Sequence, residues 1–216
     1  MTDLLSILAP DERAEVLRVA HRRRFKRGEV VFHEGDPGDA CHVVTKGLFI
    51  ARSASTLGHV IAVNVFPPGS VFGEMVLLNH GARRSATVEA WGASETLMLP
   101  RASVESLRAR SPVIDRFLLQ VLSERNRVLT AQLVELLFAP VEQRIFRRLL
   151  AFADVDPAHR PDGIVHIDQS QLAILAGTTR ATVSRTLAQA RDAGLVQTGR
   201  GTIRILDRDG LERRFG

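Results

Sequence analysis

The chain has 216 residues, 45% apolar and 25% charged, an ordinary globular mix that excludes a disordered, collagen-like or low-complexity polymer. Its 29 basic against 24 acidic residues leave a formal charge of +5, which permits a nucleic-acid partner without requiring one. A single cysteine, Cys41, excludes an intrachain disulfide and any cysteine-built zinc or iron–sulfur site within one chain, and it suits a reducing, cytoplasmic setting.

The start, Met1 to Pro10, carries Asp3 and no basic leader region, so it does not read as a signal peptide. No apolar run nears the roughly 18 residues of a membrane span, so no membrane partner is expected. Asp11 to His21 reads as a short helix opened by Pro10, with Val16, Leu17 and Val19-Ala20 as its apolar face. From Phe25 to about Leu99 short β-branched runs dominate: Val30–Phe32, His42–Val44, Leu48–Ile50, Val60–Val63 and Thr96–Leu99. Turn residues part them, among them Gly35-Asp36-Pro37-Gly38-Asp39, Lys46-Gly47 and Pro67-Pro68-Gly69. This texture predicts an antiparallel barrel or sandwich.

Between the last strands lies Phe72-Gly73-Glu74-Met75, followed by Arg83-Arg84-Ser85-Ala86. Gly73 lets a ligand approach the backbone closely, and Glu74 to Leu78 can form one helical turn with its amides aimed at an anion. Arg84 supplies a cation and Ser85 a hydroxyl to the same anion. Glu74 would repel a phosphate, so it should serve a sugar hydroxyl. Phosphate plus diol points to a nucleotide, although a Gly-Glu turn and an arginine pair are each common.

After Pro100 the pattern turns helical. Ser111-Pro112 reads as an N-cap with proline at the first helical position. Leu118, Leu122, Arg125, Leu129, Gln132 and Leu136 recur at 4-3-4-3-4 spacing, a heptad-like seam that predicts a dimer interface. A second stripe of Ile114, Phe117, Val121 and Val128 lies beside it. One stripe can pack on the β domain and the other on a second chain, or both can form one wide face buried within the monomer. Ala139-Pro140 ends the seam and Val141 to Phe152 is a further amphipathic helix, which sets domains at 1–111, 112–139 and 140–216. Residues 154–163 read as a polar loop.

Residues 164–206 carry the strongest local signal. Asp168 stands three residues before Gln171, a capping box for a short helix; Gly177 makes the turn; Thr178 or Thr179 caps a second helix from about Arg180 to Ala193. That is helix-turn-helix geometry. Val183, Leu187 and Ala190 fall on one face, and Arg180, Ala181, Ser184 and Arg185 on the other, where a major groove would lie. Arginine can fork onto guanine, and Ser184 with Thr178, Thr179 and Thr182 suits phosphates. Ser170 joins this DNA-facing set, as does Arg200 at the tip of a wing formed by Leu195-Val196 and Ile203–Ile205. The segment holds five arginines against Asp168 and Asp192, a net +3, so most of the excess charge sits here.

In its order of β-roll, Gly73-Glu74 to Arg84-Ser85 cassette, long helix and winged helix-turn-helix, the chain resembles the Crp/Fnr family of bacterial transcription regulators over about residues 5–206. The resemblance implies an α+β fold with a cyclic-nucleotide-binding-like β-roll, a dimerisation helix and a DNA-binding domain. It implies cyclic AMP or a related cyclic nucleotide as allosteric ligand, with no metal or covalent cofactor. The partners implied are a palindromic DNA operator, a second copy of the chain and RNA polymerase. Glu74 with the backbone of Gly73 and Met75 would hold the ribose, and Arg84 with Ser85 the phosphate. Two polar residues on the dimer helix would reach the base; those positions here are Leu129 and Thr130, and leucine departs from the pattern because it cannot hydrogen-bond. Ala181 departs too, replacing a glutamate that can accept from cytosine, which implies an altered half-site.

Other classes fit less well. A ligand-independent regulator, or one with a non-nucleotide effector and a vestigial cassette, is favoured by Leu129. A haem sensor would need axial ligands; His80 lies in the cassette and His42 in a strand, but a histidine in a loop is usually a solvated surface residue. An enzyme is not expected: there is no Gly-x-Ser-x-Gly, P-loop or His-Glu-x-x-His, and His33-Glu34 runs into a turn.

Overall fold

The computed structural model describes residues 8–56, 58–78, 81–156 and 163–215. Their contacts form two units: residues 1–53 with 64–129, and residues 54–63 with 130–216. The division falls inside the long helix, at Leu129/Thr130, ten residues before the Ala139-Pro140 boundary expected from the sequence.

The described chain opens with α1 (Pro10–Val19) and continues through β1 (His21–Phe25), β2 (Val30–Phe32), β3 (Ala40–Lys46), β4 (Phe49–Ala54), β5 (Val60–Phe66), whose first half counts with the second unit, and β6 (Val71–Phe72). A single turn, α2 (Met75–Leu78), then precedes β7 (Thr87–Ala90), β8 (Ser94–Pro100) and α3 (Arg101–Arg108). Two four-stranded sheets result, in the orders β1-β8-β3-β6 and β2-β7-β4-β5. Ala40 to Val44 of β3 are all buried, which is why that run is apolar rather than alternating. Between the sheets Phe72 meets Phe32, Phe49 and Phe66 at centroid distances of 5.9, 5.2 and 5.3 Å, and stacks on His42 at 5.0 Å. The residue before Gly73-Glu74 is thus locked into the core.

The helix expected over Asp11–His21 is shorter than that. It ends at Val19, and Ala20 is extended. His21-Arg22-Arg23-Arg24 forms β1, paired with β8 from His21 opposite Met98 to Phe25 opposite Ser94. The run has no helical apolar period; cross-strand pairing decides it, with Glu95 placed 3.4 Å from both Arg22 and Arg24.

α4 (Pro112–Phe138) spans 27 residues. Ile114, Phe117 and Leu118 are buried in the core of their own chain, against Val71, Val76 and Leu97 among others. Leu118, expected on the seam between chains, therefore belongs to the β unit, and the exposed row begins later. Leu129, Leu133, Val134, Leu136, Leu137 and Phe138 are all exposed large apolar residues.

The second unit contains α5 (Val141–Val155), β9 (Ile164–Val165), α6 (Gln169–Ala176), α7 (Arg180–Asp192), β10 (Val196–Gly199), β11 (Thr202–Ile205) and α8 (Arg208–Phe215). The three strands make one sheet in the order β10-β11-β9. Ile145, Phe146, Leu149 and Leu150 of α5 are buried as their spacing predicts. Phe215 stacks on Phe146 at 4.3 Å, and Arg208 forks onto Asp154 at 2.7 and 2.9 Å. Arg144 donates to the carbonyls of Leu136, Ala139 and Ala176, gathering the ends of α4 and α6 onto one guanidinium. Among the described residues no helix is long and apolar enough to cross a membrane.

Candidate functional site

The cassette is built around Arg84. The backbone pairs it to a loop almost fifty residues earlier: its amide donates to the Asp36 carbonyl at 2.9 Å and its carbonyl accepts from Gly35 at 2.8 Å. Arg84 is only 7% exposed. Its Nη1 donates to the Gly73 carbonyl at 3.2 Å, and its guanidinium lies 4.1 Å over the Phe32 ring. Burial lowers its pKa from the usual arginine value, with Asp39, Cys41, Asp36 and Glu74 acting the other way. Gly73 has φ +75°, and a Cβ there would come within 2.6 Å of Arg84 Nη1. Glycine is required at that position for conformation and for space.

Glu74 is fully buried. Its Oε1 accepts from Arg125 Nη1 of α4, and Arg125 Nη2 also reaches the Val71 carbonyl at 3.3 Å. Among the described residues, Glu74 Oε2, Arg84 Nε and Arg125 Nε are buried without a hydrogen-bond partner. Three charged groups thus converge with unused capacity: one acceptor and two cationic donors. Such groups are costly to bury unless a ligand completes them. A hydroxyl on Glu74 and an anion on the arginines match that set, so the residues present fit a sugar phosphate.

Two neighbouring groups, Cys41 and His42, are inert. Burial and the Glu74 charge push the Cys41 thiol up to about 12, so it is not a thiolate at neutral pH. Burial, Arg84 and Arg23 push His42 down to about 3. His42 is a neutral core residue, stacked on Phe72 with Nδ1 3.1 Å from Thr96 Oγ1. His80, the other histidine considered for haem, lies outside the described residues, as does residue 79.

The helix-turn-helix forms as its caps predict. Asp168 accepts from the Gln171 amide at 2.8 Å, and the Gln171 side chain returns the bond to the Asp168 amide at 3.0 Å. Gly177 takes φ +60°, and a Cβ there would lie 3.2 Å from Ile61 Cδ1 and 3.7 Å from Leu136 Cδ2. Thr179 caps α7 by accepting from Thr182. Val183, Leu187 and Ala190 are buried, while Arg180, Ala181, Ser184 and Arg185 are exposed. Ser170, Arg180 and Arg200 line one groove of about 510 Å³ between the start of α6 and the wing, with Asp168 and Thr198.

Residues 22–111 match the family of the cyclic nucleotide-binding domain, and residues 143–214 that of the Crp-like helix-turn-helix domain. Over 95% of its length the chain is 32% identical to the cyclic AMP receptor protein of Thermus thermophilus, covering 93% of that relative. The chain belongs to the Crp/Fnr family of transcription regulators. A CRP-like cAMP-activated global transcriptional regulator of Mycobacterium tuberculosis is 28% identical over 88% of this chain and 86% of its own length. Among solved structures, a CRP-family regulator from Thermus thermophilus superposes with a TM-score of 0.78 at 27% identity, over 90% of this chain and 96% of that one. The c-di-GMP-responsive global regulator of Xanthomonas campestris shares the fold with a TM-score of 0.81 at 24% identity, over 92% and 100%. The protein is accordingly a DNA-binding regulator of the Crp/Fnr family that carries a cyclic nucleotide-binding domain.

The remaining expected site residues fall as follows. Met75 starts α2 and is half-buried; Ser85 is exposed, beside the buried Arg84. Leu129 and Thr130 are exposed on α4. Of the seam, Leu122 and Gln132 are half-buried and Leu136 is 41% exposed. Thr178 is half-buried, and the hydroxyls of Thr179 and Thr182 are 3.0 Å apart, engaged first with each other. Heptad spacing places Arg125 on the seam and gives no sign of its bond to Glu74. Residues 35–39 read from sequence as a turn only. Their two glycines flanking Asp-Pro were the available signal: a Cβ on Gly38 would meet Val76 Cγ1 at 2.2 Å and Arg84 Nε at 3.0 Å.

Proposed function

We propose that this protein is a homodimeric regulator whose operator affinity is set by a cyclic nucleotide, with cyclic AMP as the first candidate. The observation that carries the reading is the buried, unpartnered Glu74 Oε2 beside the unpartnered Nε atoms of Arg84 and Arg125. Glu74 would accept from a ribose hydroxyl. Arg84 would hold the cyclic phosphate, with Ser85 and the backbone of Gly73 and Met75 around it. Thr130 would reach the base, and Leu129 would offer it only apolar contact. The relatives named as cyclic AMP receptors or cAMP-activated regulators support the choice of ligand.

The exposed row Leu129, Leu133, Leu136 and Leu137 on α4 supports pairing with a second copy along the helix, with Leu122 and Gln132 at the same heptad positions, while Arg125 turns to Glu74 of its own chain. A dimer would present two recognition helices about 34 Å apart, one DNA turn, to a palindromic operator in the cytoplasm. RNA polymerase would be the downstream partner. The chemistry is binding, and no catalytic step is assigned. Ligand would shift a two-state balance toward the operator-binding form, and operator must then tighten ligand by the same factor.

Calorimetric titration with cyclic AMP and cyclic GMP, with and without operator DNA, tests this. Saturable binding that DNA tightens is expected. Equal affinity in both arms would remove the coupling. No binding at all would favour the second reading, a regulator independent of cyclic nucleotides, which Leu129 supports.

A further inference from the structure

Arg108, the last residue of α3, joins two segments that lie far apart in sequence. Its Nη1 donates to the Leu77 carbonyl at 2.9 Å and its Nε to Asp115 Oδ1 at 2.5 Å. Leu77 belongs to α2, the single turn directly after Glu74, and its own amide donates to the Glu74 carbonyl at 2.9 Å. Asp115 lies in the first turn of α4. One guanidinium therefore spans from the candidate ligand cassette to the start of the long helix.

The Leu77 carbonyl lies in the last turn of α2, where a helical carbonyl needs a donor from outside the helix, and Leu77 itself is buried. Arg108 is that donor. The ion pair to Asp115 is partly exposed, with side chains 28% and 47% accessible, and such pairs add little to overall stability. What the pair adds is direction: the second bond fixes where the guanidinium points. Ten residues further along α4, Arg125 ties the same cassette again through Glu74 and Val71. Residues 71–77 are thus held to α4 at two levels, and a shift of the cassette is carried to the helix at both.

We propose that Arg108 is a positioning residue of the ligand response, setting the register between the turn after Glu74 and the first turn of α4. Its effect on DNA affinity rests on the cyclic-nucleotide reading above; its mechanical role does not. The test has two arms on the full-length protein. In the first, ligand-free hydrogen exchange is compared for wild type, Arg108→Met and Asp115→Ala. Both substitutions should speed exchange of amides 75–78 by at least about tenfold, although Asp115 touches none of them. Unchanged exchange there in Asp115→Ala would overturn the proposal, since a merely local Arg108 predicts a response to its own loss alone. In the second arm, the factor by which cyclic AMP raises operator affinity should fall at least about fivefold in both variants, and Arg108→Lys should restore part of it. Faster exchange with an intact factor would also overturn it. If wild type binds no cyclic nucleotide, the ligand reading fails while the exchange arm still decides whether Arg108 makes the tie.

Discussion

Arg84→Ala should lower cyclic AMP affinity by at least about 100-fold while changing the stability of the ligand-free protein by no more than about 1 kcal/mol. The two halves of that expectation have one cause. Arg84 is a desolvated cation, and among the described residues no carboxylate lies within ion-pair distance of it. Its contacts are a carbonyl, that of Gly73, and the face of Phe32. Losing one hydrogen bond costs about 1 kcal/mol and losing the cation–π contact about the same, but the burial penalty on the charge is relieved at once. With a phosphate bound the balance differs. Charge-assisted bonds to an anion in a buried site contribute about 1.5–3 kcal/mol each, and two of them account for the 100-fold.

Urea unfolding of both proteins with and without ligand separates the two effects. At 100 times the wild-type dissociation constant, ligand should add about 2.7 kcal/mol to wild type and no more than about 0.4 kcal/mol to the variant at the same concentration. Arg84→Lys should fall between, since a point charge replaces a fork. Binding by Arg84→Ala as tight as wild type would move the phosphate site elsewhere.

What was legible in the sequence follows the range of the forces involved. The helix-turn-helix could be read because its determinants are local: Asp168 and Gln171 are three residues apart, Thr179 caps the helix it precedes, and Gly177 is the turn itself. Strands β3, β4, β5 and β8 announced themselves by β-branched runs. β1 did not, because His-Arg-Arg-Arg has no intrinsic preference that would name it a strand; its pairing with residues more than seventy positions away decides it. α8 went unread because Arg208–Phe215 offers little apolar period, only Leu211 and Phe215. The cassette shows the same division. Glu74 and Arg84 are marked by glycine and by their neighbours. Their partners are not: Phe32 under Arg84, Asp36 and Gly38 beside it, and Arg125 on Glu74 come from distant segments. Arg125 also occupies a heptad seam position, and nothing local distinguishes an arginine that faces a second chain from one that turns back to its own.

On the DNA side, Arg180→Ala and Arg185→Ala should each weaken operator binding by about 1–3 kcal/mol, roughly 5- to 150-fold, and relax specificity at one base pair per half-site. Both side chains are exposed at the N-terminal end of α7, and among the described residues neither has a carboxylate partner, so both forks are free for base edges. Arg200, at the wing tip, should behave differently. A phosphate contact carries no sequence information, so Arg200→Ala should weaken all duplexes alike and lower the slope of log K against log salt by about 0.9 per half-site. Ala181 makes the sharpest case. It is exposed between the two arginines, and alanine can offer only a methyl group to a base. Selection from random duplexes should therefore return no cytosine preference at the facing position, and Ala181→Glu, by supplying an acceptor for the cytosine amino group, should create one. A strong cytosine preference in wild type would mean that another residue reads that base pair, and the assignment of Arg180 and Arg185 to its neighbours would have to shift with it.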